Sequence, residues 1–217
     1  MSQYDVLNIG AKFRAARQKK KLSLRELASR AKVSASLLSQ IENGRANPSV
    51  LTLYNVAEAL SVSITYFFPD PETPSQPPTL LRTDTTASEL RSDYHNAFGV
   101  LEQRFSKSPV ITPILRLAIE LKGGVRWERL TASEEEDIQF LEIQYQPGAA
   151  SGSTMSHHSG HEFGLILAGE LKLELGFEQY TLTVGDSIIF ASITPHRLSN
   201  EGTEMVRAIW IVMNGSV

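Results

Sequence analysis

From Asn8 to Phe68 apolar residues recur at the spacing of one helix face: Ile9, Phe13 and Ala16, then Leu27, Ala28 and Ala31, then Leu38 and Ile41, then Val50, Leu53, Ala57 and Leu60. Four short helices are predicted. Their ends carry fitting punctuation, since Ser23-Leu24-Arg25-Glu26 has the spacing of a capping box, Ser34 can cap the next helix, and Asn43-Gly44 can end it. The run from Pro69 to Pro78 holds five of the ten prolines of the chain, which no helix or central strand accepts, and predicts a semi-rigid linker. A helix over Ala87 to Phe105, with Leu90, Tyr94, Ala97 and Leu101 on one side, is opposed by Gly99, and the segment 79–108 gains no role from its pattern. After Pro109 the period shortens. Phe140 to Tyr145, Leu171 to Leu175, Tyr180 to Val184 and Met205 to Val212 are β-rich and often alternating, with Gly or Pro turns between them, which predicts an antiparallel barrel or sandwich.

Composition narrows the classes. At 217 residues, 41% hydrophobic and 21% charged, the chain is a globular one with room for two compact domains. No stretch has the apolar length of a membrane span, and the start Met-Ser-Gln-Tyr-Asp lacks the flank and apolar run of a secretion signal, so a cytoplasmic protein with no membrane partner is expected. The lack of cysteine excludes disulfides, thiolate metal sites and cysteine nucleophiles. Charge is divided unevenly. Residues 1–70 hold ten Lys/Arg against five Asp/Glu, a net of +5, which leaves −8 for the remainder of a chain at −3. A positive head suits a polyanion such as DNA.

The second and third helices are separated by Ala31-Lys32-Val33-Ser34, a turn short enough for a helix-turn-helix. With Leu38 and Ile41 inward, the third helix presents Ala35, Ser36, Ser39, Gln40 and Asn43, a small polar surface that fits the major groove. Arg14, Lys21, Arg25, Lys32 and Arg45 are candidate phosphate contacts. Periodicity alone equally allows a helical cluster that packs on a partner protein.

The stretches Ile9 to Arg17, Leu22 to Ala28, Val33 to Arg45 and Pro48-Ser49 resemble the XRE family, related to phage repressors, across residues 8–68. The resemblance implies a lambda-repressor-like all-α domain over residues 1–68. In that family the third helix reads the groove, a role that falls on Ser34, Ala35, Ser36, Ser39 and Gln40, with Asn43 and Arg45 near the backbone. One such module makes few contacts, so a homodimer on two half-sites of a double-stranded operator, roughly 34 Å apart, is expected.

Pro147-Gly148, His157 to Gly164, Gly169-Glu170, Gly185-Asp186 and Pro195 to Asn200 resemble the two motifs of the cupin family over about residues 110–214. The expected fold class is therefore α+β in two domains, a helix-turn-helix domain followed by an all-β double-stranded β-helix barrel at 109–217, with 69–108 as the connecting segment. His158 and Glu162 stand four residues apart and His196 follows a turn-forming proline, so a barrel can turn all three inward. Imidazole and carboxylate together suit Zn, Fe, Mn or Ni, and equally a small polar effector, for which Tyr145 is a further candidate contact. In metal-binding members the first motif contributes two histidines one residue apart; the earlier position here is Ser156, a poor ligand. A buried polar network that only ties loops together is the bland alternative. His157 and His161 are expected to be exposed, Glu134-Glu135-Glu136-Asp137 to form a solvated loop, and Trp127 and Trp210 to pack, with a pocket wall as their other possible use.

These readings converge on a sequence-specific transcriptional regulator rather than an enzyme, with repression the expected sign because occupancy alone suffices for it. No cofactor is required by these residues; a divalent metal (Zn, Fe, Mn or Ni) in the barrel is the one candidate. The rival readings are a metal-dependent dioxygenase or isomerase tethered to DNA, and a barrel that serves only to dimerise.

Overall fold

The computed structural model describes residues 3–69, 109–133, 135 and 137–213. Most of the proline-rich run, the helix expected over 87–105, and Glu134 and Glu136 lie outside the described residues. The amino-terminal part forms α1 (Gln3–Lys19), α2 (Leu24–Arg30), α3 (Ala35–Glu42) and α4 (Val50–Leu60), followed by a 3-10 turn at Ile64–Phe67. The starts of α2, α3 and α4 are satisfied locally: Ser23 and Glu26 form the capping box of α2, Ser34 caps α3 and Ser49 caps α4. Lys32 takes a left-handed conformation (φ 53°) in the turn between α2 and α3, where Val33 N donates to Ala28 O at 3.0 Å and closes the end of α2.

The helices bury Phe13, Leu27, Leu38, Ile41 and Leu53 completely, and the Phe13 and Phe67 rings meet at 4.6 Å. Close approach of α1 and α3 depends on Gly10, because a Cβ there would lie 2.1 Å from Ile41 O. No helix among the described residues is long and apolar enough to cross a membrane.

Nine strands follow among the described residues: β1 (Ala118–Leu121), β2 (Val125–Arg129), β3 (Ile138–Tyr145), β4 (His161–Ala168), β5 (Leu171–Leu175), β6 (Glu178–Leu182), β7 (Ser187–Ala191), β8 (His196–Ser199) and β9 (Val206–Met213). They make a six-stranded antiparallel sheet, β1-β2-β3-β9-β4-β7, and a three-stranded one, β6-β5-β8. Alternation explains the faces: Val206, Ala208, Trp210 and Val212 of β9 are buried, while Arg207, Ile209 and Ile211 between them are partly open. Residues of both sheets, among them Ile143, Leu173 and Leu198, share one core, and the bridges Ala150 to Ser199 and Ser156 to His196 tie the sheets together. The result is a barrel, one of the two antiparallel folds, barrel or sandwich, that the β-rich pattern predicts.

Helices and barrel also touch directly. Lys122 N donates to Pro48 O at 2.8 Å and Leu51 N to Ser151 O at 3.2 Å, so the start of α4 is joined to two barrel loops by backbone hydrogen bonds.

Gly10→Ala tests the α1–α3 approach. In an open helix that change adds about 1 kcal/mol of stability; here the clash with the Ile41 carbonyl is expected to cost about 2–3 kcal/mol, seen as a lower unfolding midpoint of the helical part. An unchanged or higher midpoint counts against the packing described.

Candidate functional site

On α3 the inward residues are Leu38, Ile41 and Glu42, which leaves Ser36, Gln40 and Asn43 exposed and Ala35 and Ser39 half-buried on the other side. Ser34 is exposed at the helix start, with its Oγ accepting from Leu37 N at 3.1 Å. Lys21, Arg25, Lys32 and Arg45 are exposed.

Two of the expected DNA contacts have a different local task. Arg14 Nη2 donates to Asn43 Oδ1 at 2.7 Å and to Glu42 O at 3.0 Å, while Asn43 Nδ2 donates to Ser39 O at 2.7 Å. The pair clamps the end of α3 onto α1, with the Arg14 side chain still 44% exposed.

The buried anchor beside them is Glu42, which the sequence pattern does not single out. Arg17 grips its carboxylate in a fork, Nε to Oε1 at 2.6 Å and Nη2 to Oε2 at 2.8 Å, and also donates to Leu22 O at 3.0 Å. Helix α3 is thereby oriented by a charge pair whose carboxylate side chain is 3% exposed.

The barrel brings His158, Glu162 and His196 together. Their donor atoms lie within 4.8 Å of one another, with His158 Nε2 at 2.9 Å and His196 Nε2 at 3.1 Å from Glu162 Oε1. Each ring is aimed by its other nitrogen: His158 Nδ1 is 3.0 Å from Ser159 O, and His196 Nδ1 is 2.9 Å from Thr194 O. A carbonyl only accepts, so Nδ1 of each ring carries a proton, and Nε2 faces Glu162, as a lone pair when a ring is neutral and as an N–H toward the carboxylate when it is protonated. Glu162 Oε2 accepts from Trp210 Nε1 at 2.6 Å. That bond needs Gly164, which pairs with Trp210 across β4 and β9; a Cβ at 164 would stand 2.2 Å from the indole ring. Trp210 is therefore both a wall and a positioning donor.

Burial works to raise the Glu162 pKa, but the two imidazoles facing it outweigh that and hold the carboxyl at about 2. Burial works to lower that of His196, and the neighbouring carboxylate more than reverses it, so this ring takes a proton more readily than usual. Neither short contact is well directed as a hydrogen bond, so His158 Nε2 and Glu162 Oε1 are buried without one. Two nitrogen donors and one carboxylate oxygen with converging, otherwise unused lone pairs fit a divalent cation.

A residue of the helical domain closes this site. Tyr54 of α4 stacks flat on His158, with ring centroids 4.3 Å apart and 8° between planes, and meets Trp127 edge-on at 6.1 Å. Val50, one turn earlier, lies in the same wall. Burial of the phenol, then the charge of Glu162, pushes the Tyr54 pKa well above its ordinary value, and the same two causes raise that of Tyr145. With Tyr54 in place the cavity between Tyr145, Glu162, His196 and Trp210 measures about 20 Å³.

Of the expected barrel residues, Glu162, His196 and Tyr145 thus line one pocket, His158 stands against Glu162 and His196 beside it, and His157 and His161 are exposed. Ser156 lies beside His196 through paired backbone hydrogen bonds of 2.8 and 2.9 Å and lines the pocket. Sequence reasoning missed Tyr54 and Val50. The available signal was an aromatic on the flank of α4 that the helical domain does not itself bury.

Residues 13–67 match the family model described as Helix-turn-helix, and residues 141–212 the one described as Cupin domain. The chain is 24% identical over 201 residues to the HTH-type transcriptional regulator PuuR of Escherichia coli (strain K12), covering 92% of this chain and 91% of that protein. It is 42% identical over 67 residues to the uncharacterized HTH-type transcriptional regulator y4dJ of Sinorhizobium fredii (strain NBRC 101917 / NGR234), 30% of this chain and 87% of that one. Among solved structures, an HTH_3 family transcriptional regulator from Vibrio cholerae superposes with a TM-score of 0.62 at 21% identity, covering 99% of each chain. The class is a DNA-binding transcriptional regulator. The chain belongs to the HTH-type transcriptional regulators, with a helix-turn-helix domain followed by a cupin domain.

Glu42→Ala would leave Arg17 partly buried without its partner. The expected cost is about 3 kcal/mol, read as a lower unfolding midpoint together with weaker binding to every duplex; a loss below about 1 kcal/mol, within the range of a surface pair, would contradict the anchoring role.

Proposed function

We propose that this regulator binds its operator as a homodimer in the cytoplasm, with α3 of each copy in the major groove, and that the barrel receives the signal at His158, Glu162 and His196. Residues 1–68 act as the reader, 69–108 as the connecting segment and 109–217 as the sensor. Ser34, Ala35, Ser36, Ser39 and Gln40 face the base edges, with Asn43 close to the backbone. Lys21, Arg25, Lys32 and Arg45 meet phosphates. The reading is supported by the exposed small polar side of α3 and by the exposure of these four cations. Repression follows as the simplest sign, since a bound dimer blocks the site it covers.

For the barrel, the observation that carries the proposal is the convergence of three donor atoms within 4.8 Å, with both histidines oriented through Nδ1. His158, Glu162 and His196 would hold a divalent cation of the Zn, Fe, Mn or Ni class, which supplies a Lewis-acidic centre for a polar group of the effector. The enzymatic alternative is less well supported, because a cavity of about 20 Å³ has no space for a substrate beside a metal while Tyr54 is seated.

Two tests follow. Metal analysis and titration calorimetry with Zn²⁺ or Ni²⁺ are expected to give one site per chain, weakened roughly 10- to 100-fold in Glu162→Gln; equal affinity in the variant removes the proposed centre. On the DNA side, Gln40→Ala is expected to relax choice at one base pair by about 1–3 kcal/mol. Lys32→Gly separates charge from stability, since a left-handed lysine is strained by about 1–2 kcal/mol that glycine does not bear. It should weaken binding to all duplexes and lower the salt slope by about 1 with no fall in the unfolding midpoint. Unchanged binding in both variants would refute the groove assignment.

A further inference from the structure

The pocket around Glu162 is not made by the barrel alone. Its outer wall is Tyr54, a residue of the DNA-reading domain, stacked at 4.3 Å on His158. Next to it Trp127 carries a buried indole N–H without a hydrogen bond. The space left, about 20 Å³, takes one water or a bare ion, whereas pockets for small organic ligands run to roughly 300–1,000 Å³. Size therefore sorts the possible occupants. A cation reaches the three donors with α4 seated, and an organic molecule does not.

We infer that Tyr54 occupies the seat of an organic ligand, a compact molecule with a hydrogen-bonding head and an apolar or aromatic body, so that ligand entry and docking of α4 on the barrel exclude each other. The inference rests on the sensor reading above and adds which side chain yields. The seat is defined by Tyr54 itself: a flat ring on His158, apolar neighbours such as Val50 and Leu141, and Glu162 and Tyr145 within the same enclosure. Because α4 belongs to the reader and holds it through Leu51 N to Ser151 O and Pro48 O to Lys122 N, a displaced Tyr54 changes how the reader is held.

The test uses the full chain and the severed side chain as probe. Tyr54→Ala empties the seat. 4-Methylphenol is then expected to raise the unfolding midpoint of Tyr54→Ala by about 2–4 °C and to leave the native chain unchanged, with para-xylene, which lacks the hydroxyl, less effective. Tyr54→Ala is also expected to alter operator affinity at least about five-fold. A lock supplies the control: a Cβ at Gly152 would lie 3.2 Å from Leu51 Cβ, close to disulfide spacing, and the chain has no other cysteine. Adding Leu51→Cys and Gly152→Cys to Tyr54→Ala and oxidising should return operator affinity to the native value.

If 4-methylphenol acts on neither protein or on both alike, or if Tyr54→Ala binds DNA within two-fold of the native chain, the inference fails. Zn²⁺ titration separates this from failure of the metal centre: Zn²⁺ bound without a 4-methylphenol effect sinks only the seat, and the reverse sinks only the centre. Should Tyr54→Ala fail to fold, Tyr54→Leu, which keeps apolar bulk but lacks the ring and hydroxyl, carries the same readings.

Discussion

Glu162 is a carboxylate at 3% exposure, and the arrangement of the barrel interior depends on keeping it charged there. Removing such a group from water costs on the order of several kcal/mol unless nearby groups replace the lost solvation. Three side chains from three places do so: His158 from the loop before β4, His196 from the start of β8 and Trp210 from β9. Each is itself held, the histidines through backbone carbonyls and the indole by the gap that Gly164 leaves in β4. The β4–β9 register is thus a chemical requirement as well as a packing one, because a shift of one residue would turn Glu162 outward and place another residue opposite Trp210.

The helical domain solves the same problem with a different partner, and the contrast separates a closed cluster from one with free donor capacity. Glu42 is matched by the fork of Arg17 and by Arg14, so both carboxylate oxygens are engaged in directed bonds. Guanidinium has no lone pair to offer, and nothing further can be bound there. Around Glu162 the cations are replaced by imidazoles, which carry lone pairs when neutral and charge when protonated. The first cluster fixes α3 against α1. The second can exchange a proton for a ligand.

Much of this architecture is legible along the chain. The helices and their caps depend on contacts within a turn, so Ser23 with Glu26, Ser34 and Ser49 announce them directly. Strands are visible through alternation, as in Val206 to Val212. The pairings that matter for function are long-range: Arg17 with Glu42, Glu162 with His196 and Trp210. Periodicity is blind to such partners, and the barrel triad was reached only through resemblance to a family whose motifs turn those positions inward. Arg14 shows the converse limit, because its charge is plain in the sequence while its engagement with Asn43 is set by how α1 crosses α3. The proline-rich run suggests two separable bodies; the Pro48 and Leu51 backbone hydrogen bonds show the reader seated on the barrel.

Tyr54 was hidden for a related reason, and that reason bears on how a signal can travel. One helix can carry two faces. On α4 the residues Leu53, Val56, Ala57 and Leu60 complete the helical core, while Val50 and Tyr54 lie along the flank that meets the barrel. A pattern search fits the stronger face and leaves the second as noise. Yet the second face joins the two domains, since α4 packs against α2 in the helical domain and against His158 of the barrel. A ligand shifts an equilibrium only by its unequal affinity for the two states. A cation among His158, Glu162 and His196 meets the same three donors whether or not Tyr54 covers them, so its leverage on the reader is confined to the His158 stack. An organic ligand cannot share the space at all, and steric exclusion is the largest inequality of affinity that a site can offer.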